Sequence, residues 1–147
     1  MIRISTRGRY ALRAMIDLAQ RSDQGPVARQ AIADRQEISA DYVAQLFRLL
    51  QSAGLVEGVK GPGGGYRLSR DPAQITAADI VQAVEGPIAV VHCTLSYPSE
   101  GSACARIDRC PAHLLWKRVS ETVIEVLDSV TLQDLSVQAD NLLVGSG

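Results

Sequence analysis

The sequence predicts a mainly α-helical fold carrying one small β-hairpin. Apolar residues recur at steps of three and four through most of the 147-residue chain, the period of helices with one buried face. A single glycine cluster, Gly61-Pro62-Gly63-Gly64-Gly65, stands between two short runs of strand character, which is the pattern of a hairpin. Aromatic residues make up only 4% of the chain, so the core must be aliphatic, as in helices packed through Leu, Ile, Val and Ala. The length suits one ordinary domain, or a small domain with an extension. The hydrophobic content of 46% is that of a globular protein, and no apolar run approaches the length of a membrane span.

Residues 7–21 read as the first helix. Tyr10, Ala11, Ala14, Met15, Leu18 and Ala19 form its apolar stripe, Arg9, Arg13, Asp17 and Gln20 fall largely between them, and Ser5 and Thr6 offer capping oxygens. Gly25-Pro26 breaks the chain before a short second helix over about residues 28–35, with Ile32 as its main apolar contact. A tight turn follows at Gln36-Glu37-Ile38. Ser39 then caps a third helix running to about residue 53, with Val43, Leu46, Phe47, Leu49 and Leu50 facing inward and Gly54 as the stop. Short helix, tight turn and capped helix form a helix-turn-helix pattern. Residues 55–60 and 66–69 are the two strands of the hairpin, which is too small to stand alone and must lean on the helices before it. A helix-turn-helix followed by a glycine-rich hairpin is the winged-helix arrangement. Thr76 caps another short helix over residues 77–84, closed by Glu85-Gly86-Pro87.

Pro111 occupies the first turn of a long helix reaching about residue 130. Leu115, Val119, Val123, Val126 and Val130 recur nearly as a coiled-coil seam, and Leu114, Ile124 and Leu127 broaden the apolar surface. One helix cannot hide that much. The favoured expectation is pairing with the same helix of a second subunit, over docking against its own winged domain. Thr131 starts a last helix, residues 132–143, that folds back on the others, and 145–147 form a frayed tail. The predicted organisation is a winged helix-turn-helix DNA-binding domain over residues 1–86, a ligand loop over 87–112, and a dimerisation helix with a C-terminal helix over 113–147.

The net charge of -1 hides an asymmetry. Residues 1–70 carry eleven Arg or Lys against six Asp or Glu, a net of +5, and residues 71–147 carry four against ten, a net of -6. A basic half joined to an acidic half suggests a polyanion-binding module followed by something else. On that module the third helix is the candidate recognition helix. Ser39, Asp41, Tyr42 and Gln45 lie on its polar side: Gln45 suits adenine in bidentate fashion, Asp41 can accept from cytosine, and the hydroxyls of Ser39 and Tyr42 suit phosphate or base edges. Arg48 is placed for phosphate, and Arg7 and Arg9 for clamping the DNA backbone. Lys60 at the wing root and the tip Gly63-Gly64-Gly65 are candidates to enter or straddle the minor groove. The glycine cluster matches neither nucleotide-binding fingerprint, and no nucleophile–base constellation is present, so an enzyme is not expected.

All three cysteines and one histidine fall in the order Cys93, Cys104, Cys110, His113, with ten, five and two residues between successive members. Three thiolates and an imidazole are enough to close a tetrahedral metal site or to hold an iron–sulfur cluster, and spacing does not choose between zinc and iron. Cys110 and His113 lie three apart where a helix begins, so both project from one face. Redox-active thiols and plain structural cysteines are the competing readings. An odd thiol count and the lack of a visible signal peptide argue against a disulfide framework and for a reducing, cytoplasmic setting.

STRGRYALRAMIDLA at the start, ISADYVAQLFRLLQSAGLV through the third helix, VKGPGGGYRLSR in the hairpin, Cys104-x5-Cys110-x2-His113 followed by LLW, and VTLQDL carry a resemblance over nearly the whole chain. They resemble the Rrf-type winged-helix transcription regulators of bacteria, and within them the iron–sulfur cluster regulators. The resemblance implies a homodimer that binds a double-stranded DNA operator, with long helices crossing at the interface. It also implies a [2Fe-2S] cluster on Cys93, Cys104, Cys110 and His113 whose occupancy changes which operators are bound, and iron–sulfur assembly proteins as loading partners. Two features depart from the pattern of the cluster regulators, and a third, Gly8 with His113 present, sets the chain apart from the four-iron sensors and favours the two-iron cluster. The interval between Cys93 and Cys104 is longer, which makes His92 an alternative ligand. Ala44 stands where the best-known cluster regulators carry Glu, and Gly8 where nitric-oxide sensors with a four-iron cluster carry Asp.

Overall fold

The computed structural model describes residues 4–89 and 110–145. Among them are helices α1 (Thr6–Gln20), α2 (Arg29–Gln36), α3 (Ala40–Ser52), α4 (Ala77–Glu85), α5 (Pro111–Asp128) and α6 (Leu132–Gly145), with one antiparallel hairpin of β1 (Val56–Val59) and β2 (Gly65–Leu68). Short 3-10 turns at Ser22–Gln24 and Pro72–Gln74 bridge α1 to α2 and the hairpin to α4. The predicted class, mainly α with a hairpin wing, is the one observed.

α1 is the central element, packing on α2, α3, α4, α6 and β2. Ala11, Ala14, Met15 and Leu18 are fully buried, with Ala19 nearly so, as their spacing requires. They meet Ile32, Val43, Leu46, Phe47, Leu50, Ile75 and Ile80 in one aliphatic cluster. Phe47 is the sole phenylalanine of the chain and stacks obliquely on Tyr66 of β2 with ring centroids 4.4 Å apart, so one aromatic pair locks α3 to the hairpin. The hairpin also leans on the backbone. Val27, just before α2, exchanges hydrogen bonds of 2.8 Å in both directions with Tyr66. A Cβ on Gly65 would stand 2.1 Å from the Val27 carbonyl oxygen, so glycine is required there for the wing to reach α2.

The last helix shares this core. Leu132 is fully buried in the winged-domain cluster, and Gln20 of α1 donates to Asp140 of α6 at 2.9 Å. The seat of α6 is a pair of matching helix starts. Thr76 and Asp79 form a reciprocal capping box on α4, Thr131 and Asp134 exchange the same two bonds at the start of α6, and the two starts pair as an antiparallel bridge. The C-terminal helix thus packs against α1 and the turn at Pro72–Gln74. α5 differs. Ser120 is its one buried residue, while Leu114, Leu115, Trp116 and Val126 remain 37–67% exposed. The helix begins at Pro111, so Cys110 is its N-cap and stands at the helix boundary, inside the segment the sequence assigned to the loop.

Asp17 also departs from expectation. Its place between the apolar positions of α1 groups it with the outward polar residues, yet it is 2% exposed. Its carboxylate accepts hydrogen bonds from Arg35 Nε and Nη2 at 2.9 and 2.8 Å and from Gln36 Nε2 at 3.0 Å, with Arg21 3.7 Å away. Burial alone would raise its pKa, but the hydrogen bonds from Arg35 and Gln36 and the charges of Arg35 and Arg21 outweigh it, leaving the group below its ordinary 3.8. A depressed carboxylate pKa contributes stability that is present above the unfolded value and lost as pH falls through the lower, folded value. Asp17→Asn should therefore flatten the part of the acid-denaturation curve that lies below pH 3.8. Arg35→Ala, which strips the buried carboxylate of its main partner, should cost about 2–4 kcal/mol at neutral pH in urea unfolding. Equal acid profiles for wild type and Asp17→Asn would contradict the assignment.

Candidate DNA-reading face and metal centre

α3 has two faces. Val43, Leu46, Phe47 and Leu50 are buried, while Asp41, Gln45 and Arg48, at i, i+4 and i+7, are exposed and form one outward stripe. This is the stripe a recognition helix turns toward a major groove. Ser39 holds its N-terminus, accepting the Tyr42 backbone N–H at 3.0 Å. Asp41 lies in the first turn, where a negative charge complements the helix dipole. Both residues thus have a folding role in addition to any contact with DNA.

Tyr42 is half-buried. Its ring meets Tyr10 of α1 edge-on, with centroids 6.0 Å apart and planes at 88°. The Arg13 guanidinium covers the Tyr10 ring at 4.9 Å and donates to the Gln36 side chain and carbonyl at 3.2 and 3.0 Å. A cation, two phenols and the turn between α2 and α3 therefore stack in sequence, and the start of α3 is braced from α1. Arg7 and Arg9 are exposed on the first turns of the same helix, Arg9 reaching the Thr6 hydroxyl at 3.5 Å.

At the wing, Lys60 is exposed at the root. Gly63 has φ +75° with open space where a side chain would go. Gly64 is enclosed by its own turn, a Cβ there falling 2.2 Å from the Val59 carbonyl oxygen. The glycine at 64 is thus required by closure of the hairpin, whatever it contacts, while Gly61 and Gly63 have open space outward. Between the start of α2, the start of α3 and the wing lies a groove of about 600 Å³, lined in part by Arg29, Gln30, Gln51 and Lys60. Of these the sequence pointed only to Lys60. The position of Arg29 on the first turn of α2 was legible. That the wing closes against it was not, because the Val27–Tyr66 bridge joins residues 39 apart.

Cys110 and His113 stand at the N-cap and third position of α5, the His113 N–H donating to the Cys110 carbonyl at 3.1 Å. The cysteine makes no side-chain cap bond, so its sulfur is not committed to the helix start, and both residues are partly exposed. One soft and one borderline donor on a single helix turn are compatible with a Cys3His ligand set. Cys93, Cys104 and the alternative His92 lie outside the described residues. Among the described residues no three potential ligands gather.

Comparison with known proteins agrees with this architecture. Residues 4–138 match the Rrf2 family, described as iron-dependent transcriptional regulators. The transcriptional regulator IscR of Xenorhabdus nematophila is 42% identical over 134 residues, covering 91% of this chain and 79% of that protein. The IscR of Serratia proteamaculans is 40% identical over 97% of this chain and 84% of its own. Among solved structures, CymR, the global cysteine regulator of B. subtilis, superposes with a TM-score of 0.74 at 40% identity, over 94% of this chain and 98% of that one. T. potens IscR superposes with a TM-score of 0.75 at 38% identity, over 93% and 88%. The winged helix-turn-helix fold, the recognition stripe on α3 and these similarities together place the chain in the Rrf2 family, as an IscR-like transcriptional regulator and not an enzyme.

Proposed function

We propose that this regulator is cytoplasmic and homodimeric, senses iron–sulfur cluster supply, and binds a double-stranded operator differently according to whether its cluster is present. The observation that carries the reading is the pairing of Cys110 and His113 at the start of a helix that leaves Leu114, Leu115, Trp116 and Val126 exposed. Similarity to IscR proteins and to a family described as iron-dependent supports it. Cys93, Cys104, Cys110 and His113 would hold a [2Fe-2S] cluster, whose thiolate and imidazole ligation supplies a one-electron couple raised in potential relative to an all-thiolate site. The ligand bonds would tie residues 93 and 104 to the root of α5 and make the posture of that root depend on occupancy. Iron–sulfur assembly proteins are the partners that would load it.

The dimer is assigned to α5. A shallow apolar groove of about 310 Å³ runs along Leu115, Arg118, Val119, Thr122 and Val123, on the seam the heptad-like spacing picks out. Two copies joined there would set the distance between their α3 helices, and half-sites one DNA turn apart make binding sensitive to that distance. On each reading head, Gln45 is assigned to base recognition and Arg48, Lys60, Arg7 and Arg9 to phosphate, with Ser39, Asp41, Tyr42, Gly63 and Gly64 completing the contact surface.

A second reading draws on the similarity to CymR, described as the global cysteine regulator of B. subtilis. In it the Cys3His set is structural zinc or a thiol sensor and no cluster forms. Protein purified without oxygen separates the two. Visible absorbance with two iron and two sulfide per chain is the expected outcome. Stoichiometric zinc in colourless protein, or neither metal, would favour the second reading.

Two further outcomes are expected. Leu115→Glu should convert the dimer to monomer in sedimentation analysis and weaken operator binding at least about ten-fold through lost bivalency. Gln45→Ala should relax sequence preference by about 1–3 kcal/mol at the base pair it reads, while Arg48→Ala and Lys60→Ala should weaken binding to all duplexes and flatten its salt dependence.

A further inference from the structure

We infer that the groove between α2 and the wing seats the sugar–phosphate backbone of one DNA strand, with Arg29 as a phosphate contact facing Lys60. This rests on the DNA-binding role of the family and adds a residue and a surface to it. The groove holds about 600 Å³ and is bounded by Arg29 and Gln30 on α2, Ala40 at the start of α3, Gln51 near its end, and Val59, Lys60, Gly61, Gly64 and Gly65 of the wing. It therefore opens beside the recognition stripe, where a strand flanking the major groove must pass when α3 is inserted.

Its charge fits a polyanion. Arg29 and Lys60 are exposed, and neither forms an ion pair with a carboxylate among the described residues. Asp34, the acid nearest Arg29 in sequence, accepts from Gln30 at 2.8 Å, and Glu57, the acid nearest Lys60, pairs with Arg67 across the hairpin. The start of α2 adds to the positive potential, because Ala28 offers no side-chain cap to the first N–H groups of the helix.

Its geometry is held in advance. The Val27–Tyr66 bridge joins the residue two before Arg29 to the strand that returns from the wing tip, and Gly65 is compelled to be glycine by the same contact. The wall bearing Arg29 and the wall bearing Lys60 therefore do not move independently, and a phosphate held between them costs little reorganisation. The groove is narrow in chemical range as well. Tyr66, the one aromatic residue lining it, is 7% exposed and stacked on Phe47, leaving no open ring face for a base or a nucleoside. Backbone phosphate, read without sequence, is the ligand that remains.

The test uses the full chain and two duplexes, one carrying the operator and one of random sequence, titrated over a range of salt. Arg29→Ala should lower affinity for both duplexes by a similar factor, about ten-fold per protomer, and reduce the slope of log affinity against log salt by about one per protomer. Arg29→Lys should restore most of both. Arg70→Ala, at the base of the hairpin beside Gly54, should leave both unchanged, and unaltered thermal melting of all three variants confirms the fold. Arg29→Ala protein with wild-type affinity and slope, or with altered sequence preference at a constant slope, overturns the inference. Wild-type protein that binds no duplex would instead overturn the DNA-binding reading itself, so the two failures are distinguishable.

Discussion

The carboxylate of Asp17 sits 2% exposed inside α1 and receives both arms of the Arg35 guanidinium together with the Gln36 amide. A buried charge of this kind is tolerated only when its lone pairs are met, and its partners are therefore constrained in direction as well as distance. Arg35 and Gln36 are the last residues of α2, directly before the turn in which Glu37 takes φ +57°. Hydrophobic contact holds α2 near α1, but an apolar surface allows sliding. The bidentate ion pair fixes one register of α2 along α1. That register sets where the turn falls, and the turn sets the direction of α3. The Arg13–Tyr10–Tyr42 stack then braces the same helix at its start. Two polar contacts from one helix thus aim α3, the proposed recognition helix.

The remaining elements build outward from that aim. Phe47 and Tyr66 couple α3 to the wing, Val27 couples the wing to α2, and the groove between them inherits its shape from both contacts. On the opposite side, the paired capping boxes at Thr76 and Thr131 seat α6 against the body, with Leu132 buried in its core. α5 leaves this body with its apolar surface uncovered, packing chiefly on α4. A helix with 67% of Leu114 and 54% of Leu115 in solvent invites a partner. The proposed ligands Cys110 and His113 lie on its first turn. Whatever orders that turn acts on the element that is proposed to space the two reading heads.

Much of the fold was legible because it is local. Three- and four-residue spacing marked the inward faces of α1, α3 and α4, Ser39 and Thr76 marked helix starts, and the glycine cluster marked the hairpin. Departures arose where one residue answers to a distant one. Asp17 looks like any polar residue between apolar positions until Arg35, 18 residues on, is folded against it. Gly64 reads as a tip shaped for DNA until its own turn is seen to require it. Arg29 is unremarkable until the wing closes beside it. The site was legible in part. The exposed stripe of Asp41, Gln45 and Arg48 follows from helical period alone, and Cys110 and His113 share a helix turn as their spacing implies. Cys93 and Cys104, the other two proposed ligands, lie outside the described residues.

The central claim is that an inorganic centre at the root of α5 governs how two reading heads meet DNA. Operator affinity and protected footprint, measured anaerobically on cluster-loaded wild type and on a Cys104→Ala, Cys110→Ala variant of the same full chain, test it most directly. The account predicts a change in affinity or in the choice of site between the two, with the variant still folded and dimeric. Identical affinities and footprints would contradict it, and would reduce the molecule to a winged-helix regulator that is indifferent to its cysteines.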